Sequence, residues 1–287
     1  MGFRILVISD SPAFYGALEA AFESLSFSLL AVTPDVLSMS SDNMRLYLEG
    51  ERINIVVHAS VVDIANLQNL TAQCSHKNLP LIHLSSYRVF GSHQEDLYED
   101  LVPQPDDALG QDLLAAESTV LSCKHGLILR TPWTLVNFSQ TQVDEGMLGR
   151  VCLGLLNNAV LNVSEAAAGT LVAWPEVAKT IVAIIQQIVC GAENWGVFHM
   201  HSSDVCSEAE FADAISRLLR AEGFCVAELS TSKSAAPYLV ERTAVLKGRR
   251  CTENFGIQQR SFRVGLKGAV QRWVADNGFA PIGNNGT

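Results

Sequence analysis

The sequence predicts an α/β protein, a doubly wound parallel sheet with a smaller C-terminal α/β lobe. Three observations carry that expectation. Short apolar runs of strand length recur at Ile5–Ile8, Ile53–Ser60, Leu81–Ser86 and Leu127–Thr131. Stretches with helical spacing separate them, which is the alternation that parallel crossovers require. Hydrophobic residues make up 48% of the 287 residues and charged residues 17%, enough apolar material for a sizeable core.

In chain order, residues 3–8 read as the first strand. Ala17–Leu25 reads as an amphipathic helix, because Leu18, Ala21, Phe22 and Leu25 fall on one face. Ser28–Val32 is a second strand and Asn43–Glu49 a helix. Ile53–Ser60 is followed by a helix over Val62–His76, and Leu81–Ser86 by an acidic, proline-marked loop and a helix over Leu109–Leu121. Further helices are read at Gly146–Asn157, Pro175–Val189 and Phe262–Asn277, with a strand at Trp195–Met200. Ser207 and Glu210 are spaced as a capping box for another helix. No internal repeat or low-complexity tract interrupts the pattern, and Pro281–Thr287 reads as a disordered tail.

Composition excludes several classes. No apolar run reaches the length of a membrane span, and Met1-Gly2-Phe3-Arg4 leads straight into a strand, with no secretory leader expected. The net charge of −10 argues against nucleic-acid and membrane-surface binding. The seven Cys are scattered without C-x-x-C spacing, which fits reduced thiols in the cytoplasm. His199 and His201 alternate on the expected strand but lack acidic or thiolate companions, so no metal site is predicted. Eight of the twenty Lys and Arg fall between Arg242 and Arg272, opposed in sequence only by Glu253. That basic stretch, with Arg249 and Arg250 at its centre, suits an anionic ligand or an acidic partner; solvated salt bridges are the plainer account.

The segment from Leu81 to Glu117 is the most informative. A strand ending Ser85-Ser86-Tyr87-Arg88-Val89-Phe90 is followed by Tyr98-Glu99-Asp100, by Pro103-Gln104-Pro105, and by a helix beginning at Leu109-Gly110-Gln111-Asp112-Leu113. This order resembles the active-site segment of the extended short-chain dehydrogenase/reductases, and within them the dTDP-4-dehydrorhamnose reductase (RmlD-like) branch. Leu127-Ile128-Leu129-Arg130-Thr131-Pro132-Trp133, Asn137-Phe138 and Asn254-Phe255-Gly256-Ile257 match further motifs of that branch, so the resemblance runs from residue 3 to about 277. It implies a Rossmann-like sheet over residues 1–160, a substrate-binding-like lobe interleaved with it over 161–280, and a flexible tail over 281–287.

The resemblance also implies where chemistry should sit, and there the sequence departs from it. The branch places a Tyr-x-x-x-Lys motif on the helix; the two positions here are Leu109 and Leu113. Residues four apart share a helix face, but leucine neither donates a proton nor polarises a phenol. Ser86 retains the substrate-binding hydroxyl, with Ser85 beside it, and Tyr87 is the best substitute donor if the protein is active. Ser86 also reads simply as a turn cap.

The glycine turn between the first strand and helix is altered as well. The branch pattern puts glycines where this chain has Ser9, Pro12 and Tyr15. Proline removes a backbone donor, Tyr15 adds a ring where helix presses on sheet, and Asp10 brings negative charge to a pyrophosphate position. Asp35 stands where a ribose-binding acid would fall, but after Pro34 it reads as a helix cap. Ala59 and Ser60, after His58, are small enough to border a ligand. The expectation is therefore no cofactor, with NAD(P) held in a remodelled site as the alternative. Functionally the reading is a non-catalytic homologue that binds a nucleotide sugar, another anionic small molecule or a protein partner; the alternative is an NAD(P)-dependent nucleotide-sugar reductase or epimerase. Many relatives dimerise through the helix matching Leu109–Leu121, which the resemblance offers as a homodimer contact; core packing of the Leu109/Leu113 face is the equal alternative.

Overall fold

The computed structural model describes residues 2–60, 63–135, 146–233 and 244–281. Val62, Asn137, Phe138, Arg242 and the tail from residue 282 lie outside the described residues. The chain runs β1 (Phe3–Ser9), α1 (Pro12–Phe22), β2 (Phe27–Val32), α2 (Ser41–Gly50), β3 (Ile55–Ala59), α3 (Ile64–Lys77), β4 (Leu81–Ser86), α4 (Ala108–Leu121), β5 (Gly126–Thr131) and β6 (Trp133–Thr134). It continues with α5 (Gly146–Asn157), β7 (Val160–Ser164), β8 (Ala168–Val172), α6 (Trp174–Val189), β9 (Gly196–His199), β10 (Val205–Ser207), α7 (Glu208–Ala221), β11 (Glu228–Ser232), α8 (Arg250–Phe255) and α9 (Leu266–Asp276).

Six parallel strands form the main sheet in the order β2-β1-β3-β4-β5-β9. Alternation along each strand divides its side chains between two cores. Val7, Val57, Ala59, Ile82, Leu84 and Leu129 join α1 and α6 on one face. Leu6, Ile8, Val56, Leu81 and Ile128 join Met44, Leu48, Leu67, Leu70 and Val120 from α2, α3 and α4 on the other. Each fully buried side chain of this kind contributes about 1.5–3 kcal/mol.

A separate apolar cluster gathers Trp133, Val151, Leu155, Phe211, Ile215, Leu219, Val270 and Val274 from β6, α5, α7 and α9. The three-stranded sheet β10-β8-β6 and the pair β11-β7 surround it. The chain crosses between the two bodies more than once. α6 follows β8 of the small sheet yet packs on α1, and β9 then closes the edge of the main sheet.

Local chemistry sets the helix ends. Ser11, Ser40, Asp63, Asp107 and Ser207 each accept a backbone N–H as N-caps, and Ser207 with Glu210 completes the capping box. α1 begins at Pro12, five residues before the sequence reading placed it, because Ser11 caps it and proline is preorganised for the first helical position. Tyr15 therefore lies inside the helix rather than in the connection. His201 lies beyond the end of β9, so it does not alternate with His199 on one strand. Among the described residues no helix is long and apolar enough to cross a membrane, no group of His, Cys, Asp and Glu is arranged to hold a metal, and all seven cysteines are free.

Candidate functional site

The C-terminal ends of β1, β3, β4 and β5 converge where ligands enter open α/β sheets. At the β1–α1 turn the polar groups are spent on one another. The Ser9 hydroxyl donates to the Ala59 carbonyl at 3.1 Å and accepts the Ser11 N–H at 3.1 Å. The Ser11 hydroxyl accepts the Phe14 N–H at 3.2 Å, and Pro12 has none to offer. Asp10 Oδ1 is buried and receives no hydrogen bond. Phe14 fixes the helix by an edge-on contact with Trp174, ring centroids 5.3 Å apart, and Tyr15 packs half-buried against the same core. Asp35 is exposed in the first turn of a 3-10 helix, Pro34–Ser38, and accepts the Thr33 hydroxyl; Thr33, not Asp35, stands at the cap position.

Ala59 ends β3 and Ser60 follows it, both buried. Ser60 Oγ lies 3.0 Å from His58 Nε2, and His58 Nδ1 lies 2.8 Å from His83 Nδ1 on the neighbouring strand. The two rings stack at 4.9 Å. A 2.8 Å contact between two ring nitrogens accommodates one proton, so the two imidazoles are not both charged, and burial favours the neutral form of each. Burial drives the His83 pKa down to about 4, and burial reinforced by His83 drives His58 well below the ordinary range.

Ser86 caps the 3-10 turn Tyr87–Val89 through a 3.4 Å bond from the Arg88 N–H, the turn-cap role its sequence position allowed. Tyr87 is half-buried against two apolar clusters. α4 starts above this turn. Asp107 caps it and also pairs with Arg88 at 2.8 Å, and any Cβ on Gly110 would run into the Arg88 carbonyl oxygen. On the helix face that follows, Leu109 is 38% exposed, whereas Leu113 packs with Leu114 on Val89, Phe90, Leu97 and Leu246.

Beneath α4 lies a polar row that sequence reading did not assemble. Ser85 donates to Glu117 Oε1 at 2.5 Å. Glu117 and Arg130 form a two-point ion pair, 2.9 Å from Nε and 2.7 Å from Nη2, with both side chains almost wholly buried. Arg130 Nη1 donates to His199 Nε2 at 3.2 Å, and His199 Nδ1 donates to the Lys247 carbonyl at 2.8 Å. Those two contacts fix the neutral Nδ1–H tautomer. Burial, then the nearby Arg130 charge, lowers the His199 pKa to about 3. The Arg130 guanidinium also sits 4.9 Å over the Phe90 ring. A signal existed: Glu117 falls between Ala116 and Val120 on the apolar face of its helix, where an acid needs a buried partner.

Arg249 and Arg250 stand at the start of α8, with Tyr98, Glu99 and Asp100, around a cleft of about 300 Å³. Glu99 is buried and accepts the N–H groups of His199, Arg249 and Arg250 at 3.2–3.4 Å. Arg250 Nη1 donates to the Val197 carbonyl, so the loop and α8 together cover the free edge of β9. The basic stretch is dispersed by the fold. Lys247 pairs with Asp96, Arg249 with Glu253 at 3.7 Å, Arg263 with Asp204 and Lys267 with Glu222 at 3.6 Å. Asp96, Asp204 and Glu222 come from distant segments, which is why Glu253 alone seemed to face the whole cluster.

A family model described as RmlD substrate binding domain matches residues 54–274. The chain belongs to that family. A search of curated proteins found no match. Among solved structures, a dTDP-4-dehydrorhamnose reductase from Clostridium acetobutylicum superposes with a TM-score of 0.75 at 17% identity, covering 94% of this chain and 99% of that one. The reductase from Bacillus anthracis, in complex with NADP, gives 0.75 at 14% identity over 96% and 100%. MoeE5, in complex with UDP-glucuronic acid and NAD, gives 0.70 at 15% identity over 96% and 99%. At these identities the likeness is one of fold, and the six-stranded parallel sheet flanked by helices is the Rossmann-like RmlD architecture.

Proposed function

We propose that this RmlD-family chain is a non-catalytic homologue that uses the fold for binding or regulation, with a nucleotide sugar or a protein partner as its occupant. One observation carries the reading. The helix face that would present a phenol and an ammonium to the substrate presents Leu109 and Leu113, and Leu113 is committed to apolar packing. A reductase must deliver a proton to the carbonyl oxygen as hydride arrives. Tyr87, beside Ser86, is the candidate substitute phenol, and no lysine follows it at helical spacing.

The β1–α1 turn supports the same reading. A bound dinucleotide needs backbone donors for its pyrophosphate; here Ser11 and Phe14 N–H are engaged, Pro12 has none, and an unpaired Asp10 oxygen is present. These residues do not fit the group. In this reading residues 1–160 supply most of the sheet domain and residues 161–280 most of the ligand lobe, the two interleaved: β6 and α5 join the lobe core, and α6 and β9 return to the main sheet.

A second reading, an NAD(P)-dependent nucleotide-sugar reductase or epimerase working through Ser86 and Tyr87, draws on the full-length likeness to structures holding NADP, NAD and a nucleotide sugar. The test mixes purified protein with NADPH and a dTDP-4-keto sugar and follows absorbance at the nicotinamide band, alongside thermal shift with UDP-glucose. The proposal expects no oxidation and a ligand-dependent rise in melting temperature. Turnover abolished by Tyr87→Phe would replace it with the second reading.

A further inference from the structure

The β1–α1 turn does more than lack glycine; it carries its own anion. α1 spans Pro12–Phe22, and its N-terminal end bears the partial positive charge that attracts phosphate in related folds. Asp10 lies one residue before the Ser11 cap, with Oδ1 buried and unpaired. Ser9 and Ser11 tie the turn to the Ala59 carbonyl and to Phe14, which holds the backbone beside Asp10 in place. A phosphate arriving here would meet a carboxylate of like charge in a site short of donors. We infer that Asp10, assisted by Pro12, is the residue that closes this end of the cleft to phosphate-bearing ligands. The inference deepens the non-catalytic reading and rests on it only for the location of the cleft.

Two consequences follow from the chemistry. Neutralising Asp10 without changing its shape removes the repulsion, and replacing Pro12 as well returns a backbone donor to the helix start. Ser11 is left intact in both variants, so the cap survives. The experiment titrates wild type, Asp10→Asn and the double variant Asp10→Asn/Pro12→Gly with NADPH, by fluorescence, at low and high salt. The expected order is weakest for wild type, about fivefold tighter for Asp10→Asn and tenfold or more for the double variant, with the gain shrinking at high salt. Melting curves alongside the titration report folding.

Wild type binding NADPH as tightly as Asp10→Asn would overturn the inference, as would a folded double variant with no gain. UDP-glucose titrated against the same three proteins separates the two proposals. Loss of UDP-glucose binding in all three counts against the nucleotide-sugar reading, while the NADPH ranking alone decides the role of Asp10.

Discussion

Two regions at the ligand-facing end of the same sheet have been treated in opposite ways. At the β1–α1 turn the polar groups close on one another and leave one carboxylate oxygen buried without a donor. Under α4, four side chains from β4, α4, β5 and β9 form a chain in which each charge is met. The turn is held mostly by bonds among residues 9–14, with one bond to Ala59, and tolerates one unpaired carboxylate oxygen. The row spans three parallel strands and a helix, where an unpaired charge would be far more costly. The lesson is that the scaffold depends on the row, whereas the loss of ligand chemistry proposed for the turn would disturb few bonds outside it.

The sharpest way to break this contrast is Glu117→Gln. It leaves the Arg130 guanidinium buried without its counter-charge, and removing one partner of such a pair costs about 3–5 kcal/mol. Urea unfolding should report that loss through a lower midpoint at unchanged slope. A loss below about 1 kcal/mol would mean that Arg130 finds another acceptor and that the row is not a structural necessity.

Acid should act on the same side of the comparison. His58, His83 and His199 are neutral in the fold and are held below their ordinary value. For a depressed group, stability is full above the unfolded pKa and falls as pH drops toward the folded one, because only the unfolded chain takes up the proton. The window therefore opens near pH 6.5 and closes near 4 for His83. Its contribution lost across that window is on the order of 3 kcal/mol. Melting temperature followed from pH 7.5 to 4.5 should fall, and His83→Gln should flatten the fall. A flat wild-type profile would mean that water reaches the pair.

How much of this was legible follows from range in sequence. The strands β1, β3, β4 and β5 are dense apolar runs, and Ser207 with Glu210 is a contiguous signal, so their elements could be read directly. β7, β8, β10, β11 and α8 were not read. β11, Glu228–Ser232, is polar with little burial, and α8 has only six residues, so neither carries a periodic pattern. At the candidate site, the leucines at 109 and 113 and the missing glycines were visible because the family motif is local. The Glu117–Arg130–His199 chain was not, since its members stand 13 and 69 residues apart and only strand register brings them together.

On the turn itself the expected effects are smaller. Ser11→Ala removes the hydroxyl that accepts the Phe14 N–H, and loss of an N-cap of this kind costs about 1 kcal/mol. Chemical denaturation of Ser11→Ala beside Glu117→Gln compares the two regions directly, and a cost for Ser11 equal to that for Glu117 would erase the distinction between them.

The smallest effect expected is the one that tests whether the basic residues serve a ligand. The Arg249 side chain is 77% exposed, and among the described residues its ion pair is the 3.7 Å contact with Glu253 one helical turn along. Such a pair is worth well under about 1 kcal/mol in water, so Arg249→Ala should leave unfolding within about 0.5 kcal/mol of wild type. Arg250 is the useful control, because its guanidinium holds the edge of β9 through Val197. If UDP-glucose protects wild type thermally but protects Arg249→Ala less, while stability without ligand is equal, then Arg249 faces the ligand. Equal protection would leave its charge with no role beyond solvation, and the cleft beside Glu99 would be an edge seal for β9 rather than a binding site.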